Sequence, residues 1–301
     1  MTETQGFHID KRRVRHAFDR AAGDYDRVAV LQREVGKRLL ERLDYMRLQP
    51  YTIVDIGAGT GHLSKTLAQR YKQTRVIALD LAPNMLRSAR RHAGTLARLL
   101  RRQSFVCADA EGLPLADQSA DMIFSNLTLQ WCGDLDRVFT EFRRVLRPGG
   151  MALFSTFGPD TLKELRDSWA AADNAVHVSA FIDMHDIGDA LLRSGFADPV
   201  MDAERFTLTY PDVRTVMQEL KLLGAHNAAR GRNRSLTGKG RLRAMSAAYE
   251  RYRDNGTLPA SFEVVYGLAW APERSSMDSQ ENGVVKVPLT ALHRRPPGRE
   301  S

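Results

Sequence analysis

The residues whose types and spacing could do chemistry are acids closing short apolar runs, one of them followed by glycines at alternate positions. Thr52-Ile53-Val54-Asp55 leads into Ile56-Gly57-Ala58-Gly59-Thr60-Gly61, and an amphipathic stretch from Leu63 to Ala68 follows. That order predicts a strand, a glycine-rich turn and a helix. Glycine lets the backbone take positive φ and approach a ligand, and a helix start adds oriented N–H donors. Arg75 to Asp80 reads as a second strand ending in an acid, where a ribose diol could be held. Phe105 to Ala110 reads as a third, closing on Asp109. A dinucleotide would ask for G-x-G-x-x-G and a helix N-terminus for its pyrophosphate. Three carboxylates behind G-x-G-x-G fit S-adenosylmethionine better, because that cofactor offers an ammonium, a ribose and an adenine.

These acids need a scaffold that brings distant segments to one edge. Apolar runs at Asp121–Asn126, Met151–Phe157, Pro199–Tyr210 and Phe262–Trp270 read as four further strands, and amphipathic helices separate most of them. Helices are expected at Pro83–His92, from Asp134 to Leu146, about Asp160 to Asp173, and Ile187 to Gly195. The alternation predicts an α/β fold: a doubly wound, Rossmann-like, seven-stranded methyltransferase sheet with a helical lid inserted between the last two strands. Ligands of such sheets bind off the carboxyl ends of the strands, where Asp55, Gly57, Asp80, Asp109 and Asn126 all fall. The expected domain is 11–210 with 261–272, its helices at 11–44 covering the site. Residues 211–260 form a basic lid or substrate subdomain, and 1–10 and 273–301 read as disordered.

Bulk properties narrow the classes. A hydrophobic share of 43% over 301 residues supports a full core. No apolar run is long enough to span a bilayer, and the polar start lacks a secretory h-region. Cys107 and Cys132 lack metal-ligand spacing and read as buried, reduced thiols, which implies no metal and a cytoplasmic home. Of the net charge of +8, the segment 221–253 holds all, with nine Lys or Arg against Glu250. Such a patch suits an acidic partner. Nucleic acid is the poorer candidate, since Arg230, Arg232, Arg234, Lys239, Arg241 and Arg243 have no interleaved aromatics for base stacking.

With those residues in hand, the chain resembles the class I S-adenosylmethionine-dependent methyltransferases, and within them the malonyl-acyl-carrier-protein O-methyltransferases of biotin synthesis. Ser125-Asn126-Leu127-Thr128-Leu129-Gln130-Trp131-Cys132 is similar to that group's S-N-L-A-L-Q-W-C. The stretches Ser155–Leu165 and His177–Phe181 match its S-T-L-x-P-G-T-L-x-E-L and H-V-N-x-F, with Asp160 for glycine and Ser179 for asparagine. Leu220-Lys221 with Gly224-Ala225, and Leu258 to Gly267, complete the likeness, which runs from about Lys11 to Pro272. A sister group, the complex I assembly-factor protein hydroxylases, shares much of this pattern, and a small-molecule or ubiquinone-type methyltransferase would use the same fold.

The resemblance implies Asp55 and the turn Gly57, Ala58, Gly59 and Gly61 at the methionyl end of S-adenosylmethionine. It implies Asp80 on the ribose and Asp109-Ala110 beside the adenine, with Leu81, Met85, Asn126 and Leu127 completing the cofactor set. The implied acceptor is the free carboxylate of a malonyl thioester, on an acyl carrier protein or coenzyme A. A carboxyl of pKa near ~4 is already ionised at neutral pH, so no general base is expected. Tyr25, Gln130 and His177 are the candidates to position it, each with a plain packing or backbone-satisfying role as the alternative. Lys221 and the six basic residues above are expected to steer the acidic carrier protein.

Overall fold

The computed structural model describes residues 9–93, 102–173, 175–223 and 238–273. The expectations for residues 1–8 and 274–301 lie outside them. At the start, α1 (Lys11–Ala21) is capped by Asp10, whose carboxylate accepts from the Arg13 N–H at 3.2 Å, and it buries Val14, Ala17 and Ala21. Past Gly23 the short α2 (Tyr25–Val28) precedes α3 (Val30–Arg42). Leu31, Val35 and Leu39 of α3 pack into the core beside one face of the sheet.

Seven strands form one sheet: β1 (Thr52–Ile56), β2 (Arg75–Asp80), β3 (Gln103–Cys107), β4 (Ala120–Asn126), β5 (Leu146–Phe157), β6 (Ala197–Tyr210) and β7 (Leu258–Trp270). Their spatial order is β3-β2-β1-β4-β5-β7-β6. β1 to β5 pair in parallel, while β7 runs antiparallel to both β5 and β6. β1 is buried along its whole length, as a strand covered on both faces must be. The order reverses between β1 and β4, and the crevice off their carboxyl ends is where an open α/β sheet takes its ligand. Helices α4 (His62–Arg70), α5 (Pro83–His92), α6 (Leu135–Val145), α7 (Lys163–Ala170) and α8 (Met184–Arg193) connect and cover these strands. No helix among the described residues is long and apolar enough to cross a membrane.

Several boundaries differ from the expectation. β3 ends at Cys107, so Asp109 sits two residues beyond it, bridged to Gly112. Asp55 lies inside β1 rather than closing it. β5 begins at Leu146 rather than Met151, because Arg147 to Gly150 already run as strand. Cys107 is exposed rather than buried, its Sγ 3.6 Å from the Leu81 carbonyl, while Cys132 is buried. β7 starts at Leu258, four residues early.

Between β6 and β7, α9 (Val213–Leu222) and α10 (Lys239–Tyr249) bury Val213, Val216, Met245 and Tyr249 in the same core cluster that α3 enters. The Tyr249 hydroxyl donates to the Pro259 carbonyl at 2.9 Å, and α10 packs on α7.

Candidate functional site

The glycine-rich turn is bolted to the neighbouring strand. The Gly57 and Ala58 N–H groups both donate to the Leu79 carbonyl, at 2.8 and 3.0 Å. Gly57, Gly59 and Gly61 take φ of 72°, 54° and 81°. At the end of β2, Asp80 accepts from the Gly59 N–H (2.9 Å) with one oxygen and the Ala82 N–H (2.8 Å) with the other. Both oxygens keep lone pairs for a ligand diol. Asp55, 1% exposed, accepts from the Ser64 hydroxyl.

The buried Asp55 and the half-buried Asp80 flank the same turn, and like charges there resist ionising together. Burial, with the charge of Asp80 adding to it, carries the Asp55 carboxyl up from 3.8 to about 7, although the Ser64 bonds oppose the shift. Burial likewise lifts Asp80 to about 6 against its backbone hydrogen bonds. A cation seated here would reverse both shifts. Burial raises the Tyr25 phenol as well, helped by Asp80 and Asp26, so Tyr25 stays neutral and is a donor rather than a base. Burial pushes the Cys132 thiol up to about 12, which removes it as a nucleophile.

A cavity of about 840 Å³, open to solvent, gathers most of the expected residues: Tyr25, Gly57, Gly59, Asp80, Leu81, Met85, Asp109, Ala110, Asn126, Leu127 and Gln130. Asp55 and Ala58 line a more polar cavity on the other side of the turn, which shares Tyr25, Gln32, Gly57, Gly59 and Asn126 with the first. Gly61 lines neither; its Cα faces α5, where a Cβ would meet the Ala89 Cβ at 2.7 Å. Asn126 is fixed by the Ser155 hydroxyl, which donates to its Oδ1 at 2.9 Å, and by its own Nδ2, which donates to the Gln32 carbonyl at 3.0 Å.

A second cavity, of about 800 Å³, adjoins the first and is walled by Leu165, Phe181, Leu208, Leu220 and Phe262 among others. It contains His177, whose Nε2 lies 2.7 Å from Asp173 Oδ1 and whose ring stacks on Trp169 at 3.7 Å. Gln130 reaches both cavities, but its amide is engaged at each end. Nε2 donates to the Leu127 carbonyl (2.7 Å), and Oε1 accepts from the Thr156 hydroxyl (3.1 Å).

The basic residues sit apart from this inner geometry. Lys221, Lys239, Arg241 and Arg243 are exposed, and Arg241 reaches Asp173 Oδ2 at 3.5 Å. Arg230, Arg232 and Arg234 lie outside the described residues. Leu223, just past α9, lines both cavities, so the segment carrying the basic residues begins at the site.

Two site residues, Lys11 and Trp131, have no warning in local spacing, and a third, Gln32, has only a weak one. Lys11 lines the first cavity and pairs with Asp109 (2.7 Å) and Glu111 (2.9 Å), a contact across 98 residues of chain. Trp131 lines both cavities, its ring edge-on to Phe18 at 5.4 Å. Gln32 lines all three. A weak signal for Gln32 exists: it is the polar residue beside the stripe Leu31, Val35, Leu39 on the buried face of α3.

Together the reversed strand order, the antiparallel β7 and the acid-and-glycine crevice define a class I S-adenosylmethionine-dependent methyltransferase. Residues 54–154 match the family model described as a methyltransferase domain. The solved structure of a Bacillus halodurans C-125 protein shares the fold, with a TM-score of 0.55 at 15% identity over 79% of this chain and 98% of that one. The curated relatives are far nearer. A malonyl-[acyl-carrier protein] O-methyltransferase of Methylovorus sp. is 55% identical over 88% of this chain and 90% of its own length. That of Laribacter hongkongensis is 54% identical over 89% and 92%. The chain belongs to the malonyl-[acyl-carrier protein] O-methyltransferase family.

Proposed function

We propose that the chain methylates the free carboxylate of a malonyl group carried as a thioester on acyl carrier protein, the opening step of pimeloyl synthesis for biotin. The observation that carries this reading is the join between the two cavities, at Gln32, Gln130, Trp131, Phe157 and Leu223. One cavity has the acids and glycines a nucleoside sulfonium needs. The other is largely apolar, which suits a reaction that consumes a cation and an anion in a dry place.

Bound S-adenosylmethionine supplies an electrophilic methyl group on sulfur, transferred to the acceptor oxygen with the bonding pair returning to sulfur. The residues would seat it as follows: Asp55 and the Gly57–Gly61 turn hold the methionyl end, Asp80 the ribose, and Asp109 with Ala110 the adenine. Leu81, Met85, Asn126 and Leu127 complete the walls. Because the acceptor is already an anion, the chain needs no base to activate it, and alignment is the main catalytic contribution. Mass spectrometry of malonyl-acyl carrier protein incubated with the enzyme and S-adenosylmethionine should record the gain of one methyl group, abolished in Asp80→Ala. An unchanged mass with the native enzyme rejects the assignment.

Residues 211–260 act in this reading as a cover that also recruits the carrier. Lys221, Lys239, Arg241 and Arg243 offer positive charge to the acidic protein in the cytoplasm, and Arg230, Arg232 and Arg234, outside the described residues, add to the segment's charge. The KM for malonyl-acyl carrier protein should then rise several-fold between low and physiological salt, as screening shortens the Debye length toward ~8 Å. A KM that ignores ionic strength would remove the steering role while leaving the chemistry intact.

A further inference from the structure

The carboxylate to be methylated must be held, and the cavities' own charges do not do it. Among the described residues, the only basic side chains lining the two cavities are Lys11 and His177. Lys11 is already paired with Asp109 and Glu111, and His177 with Asp173. Neutral donors remain. Where the cavities meet, those are Gln32, Gln130 and Trp131, and the Gln130 amide is committed at both ends.

Gln32 is the unusual one. Its main chain is anchored, with the carbonyl accepting from Asn126 Nδ2 at 3.0 Å. Its side-chain Oε1 is buried without a hydrogen-bond partner among the described residues. Native interiors rarely leave a polar atom in that condition unless a ligand completes it. A half-turn of the amide exchanges its oxygen for N–H at the same place. Trp131 lines the same boundary, where its indole N–H is a second neutral donor and Phe18 meets its ring edge-on.

We infer that Gln32 and Trp131 together hold the acceptor carboxylate, each donating one N–H to it at the boundary of the two cavities. Neutral donors suit this task. An arginine would bind the anion more strongly but would also draw charge from the attacking oxygen. Two uncharged N–H groups fix its direction and leave it nucleophilic. The inference rests on the malonyl reading above and assigns the residues that position its substrate.

The test is calorimetric binding of malonyl-pantetheine to the enzyme saturated with S-adenosylhomocysteine, alongside steady-state kinetics. Gln32→Leu and Trp131→Phe should each weaken acceptor binding and raise KM by roughly 10- to 100-fold, the effect of losing one hydrogen bond to a charged group. Cofactor-product affinity should stay within about threefold, and Gln32→Glu, which sets a second negative charge against the acceptor, should abolish acceptor binding. Acceptor affinity unchanged in both Gln32→Leu and Trp131→Phe overturns the inference. So does a proportional loss of cofactor-product affinity, which would mark both as packing residues. If the native enzyme binds S-adenosylhomocysteine but no malonyl thioester, the malonyl reading itself falls, and this outcome is seen before any substitution is made.

Discussion

Replacing Gly57 by alanine is expected to weaken S-adenosylmethionine binding at least 100-fold, about 3 kcal/mol, while the protein remains folded. A Cβ at this position would lie 1.9 Å from Thr128 Oγ1 and 2.5 Å from its Cγ2, with φ at 72°. Thr128 cannot simply swing aside. Its hydroxyl lies 3.2 Å from both the Ile56 and the Asn126 carbonyls, which ties it to the ends of β1 and β4. Relief must therefore come from the turn itself, breaking its hold on the Leu79 carbonyl and moving the Gly59 N–H away from Asp80. Gly61→Ala meets the Ala89 backbone instead and should cost stability more than affinity. Gly23→Ala, where nothing lies within 4 Å, is the control. Calorimetry on the three variants checks the ranking, and near-native affinity in Gly57→Ala would show that the turn does not touch the cofactor.

The turn was legible because its information is local: three glycines, a preceding β-branched run and a following helix are contiguous in sequence. The doubly wound, mostly parallel sheet followed from the same alternation, since parallel strands joined by helices have few ways to wind. Asp109 shows the limit of such reading. The apolar run Phe105-Val106-Cys107 continues through Ala108, so nothing in the pattern marks the end of pairing at Cys107, and the acid moved from strand end to bridge. Gln130 and His177 show another limit. Both were readable as residues near the site, yet whether a polar side chain is spent on its neighbours depends on contacts the sequence does not reveal, with Thr156 for one and Asp173 with Trp169 for the other. Gln32 went unread for the converse reason. A single polar residue on an apolar helix face looks like a tolerated exception, and only the meeting of three cavities around it gives it a role.

Affinity for S-adenosylmethionine should climb about tenfold as pH rises from 5.5 to 7, and Asp55→Asn should flatten that climb. The sign follows from where the protons sit. Asp55 and Asp80 hold theirs up to about 7 and about 6 in the folded protein, against 3.8 ordinarily. Between pH 4 and 7 the folded chain thus binds more protons than the unfolded one, and the ligand-free protein loses stability as pH rises through that window. A cationic ligand works in the opposite direction. It favours the ionised carboxylates, so its binding expels protons and strengthens until Asp55 has titrated. The window must stop near neutrality, because the ligand's own α-amino group begins to lose its charge at about 7.7. The ligand-induced rise in Tm should accordingly be larger at pH 7 than at pH 5.5. Asp55→Asn, unable to ionise, should bind at pH 7 about as weakly as the native protein does at pH 5.5. Native affinity that stays level or falls across the window would mean that Asp55 remains protonated in the complex and hydrogen-bonds Ser64 alone, leaving Asp80 as the carboxylate beside the turn that meets the cation.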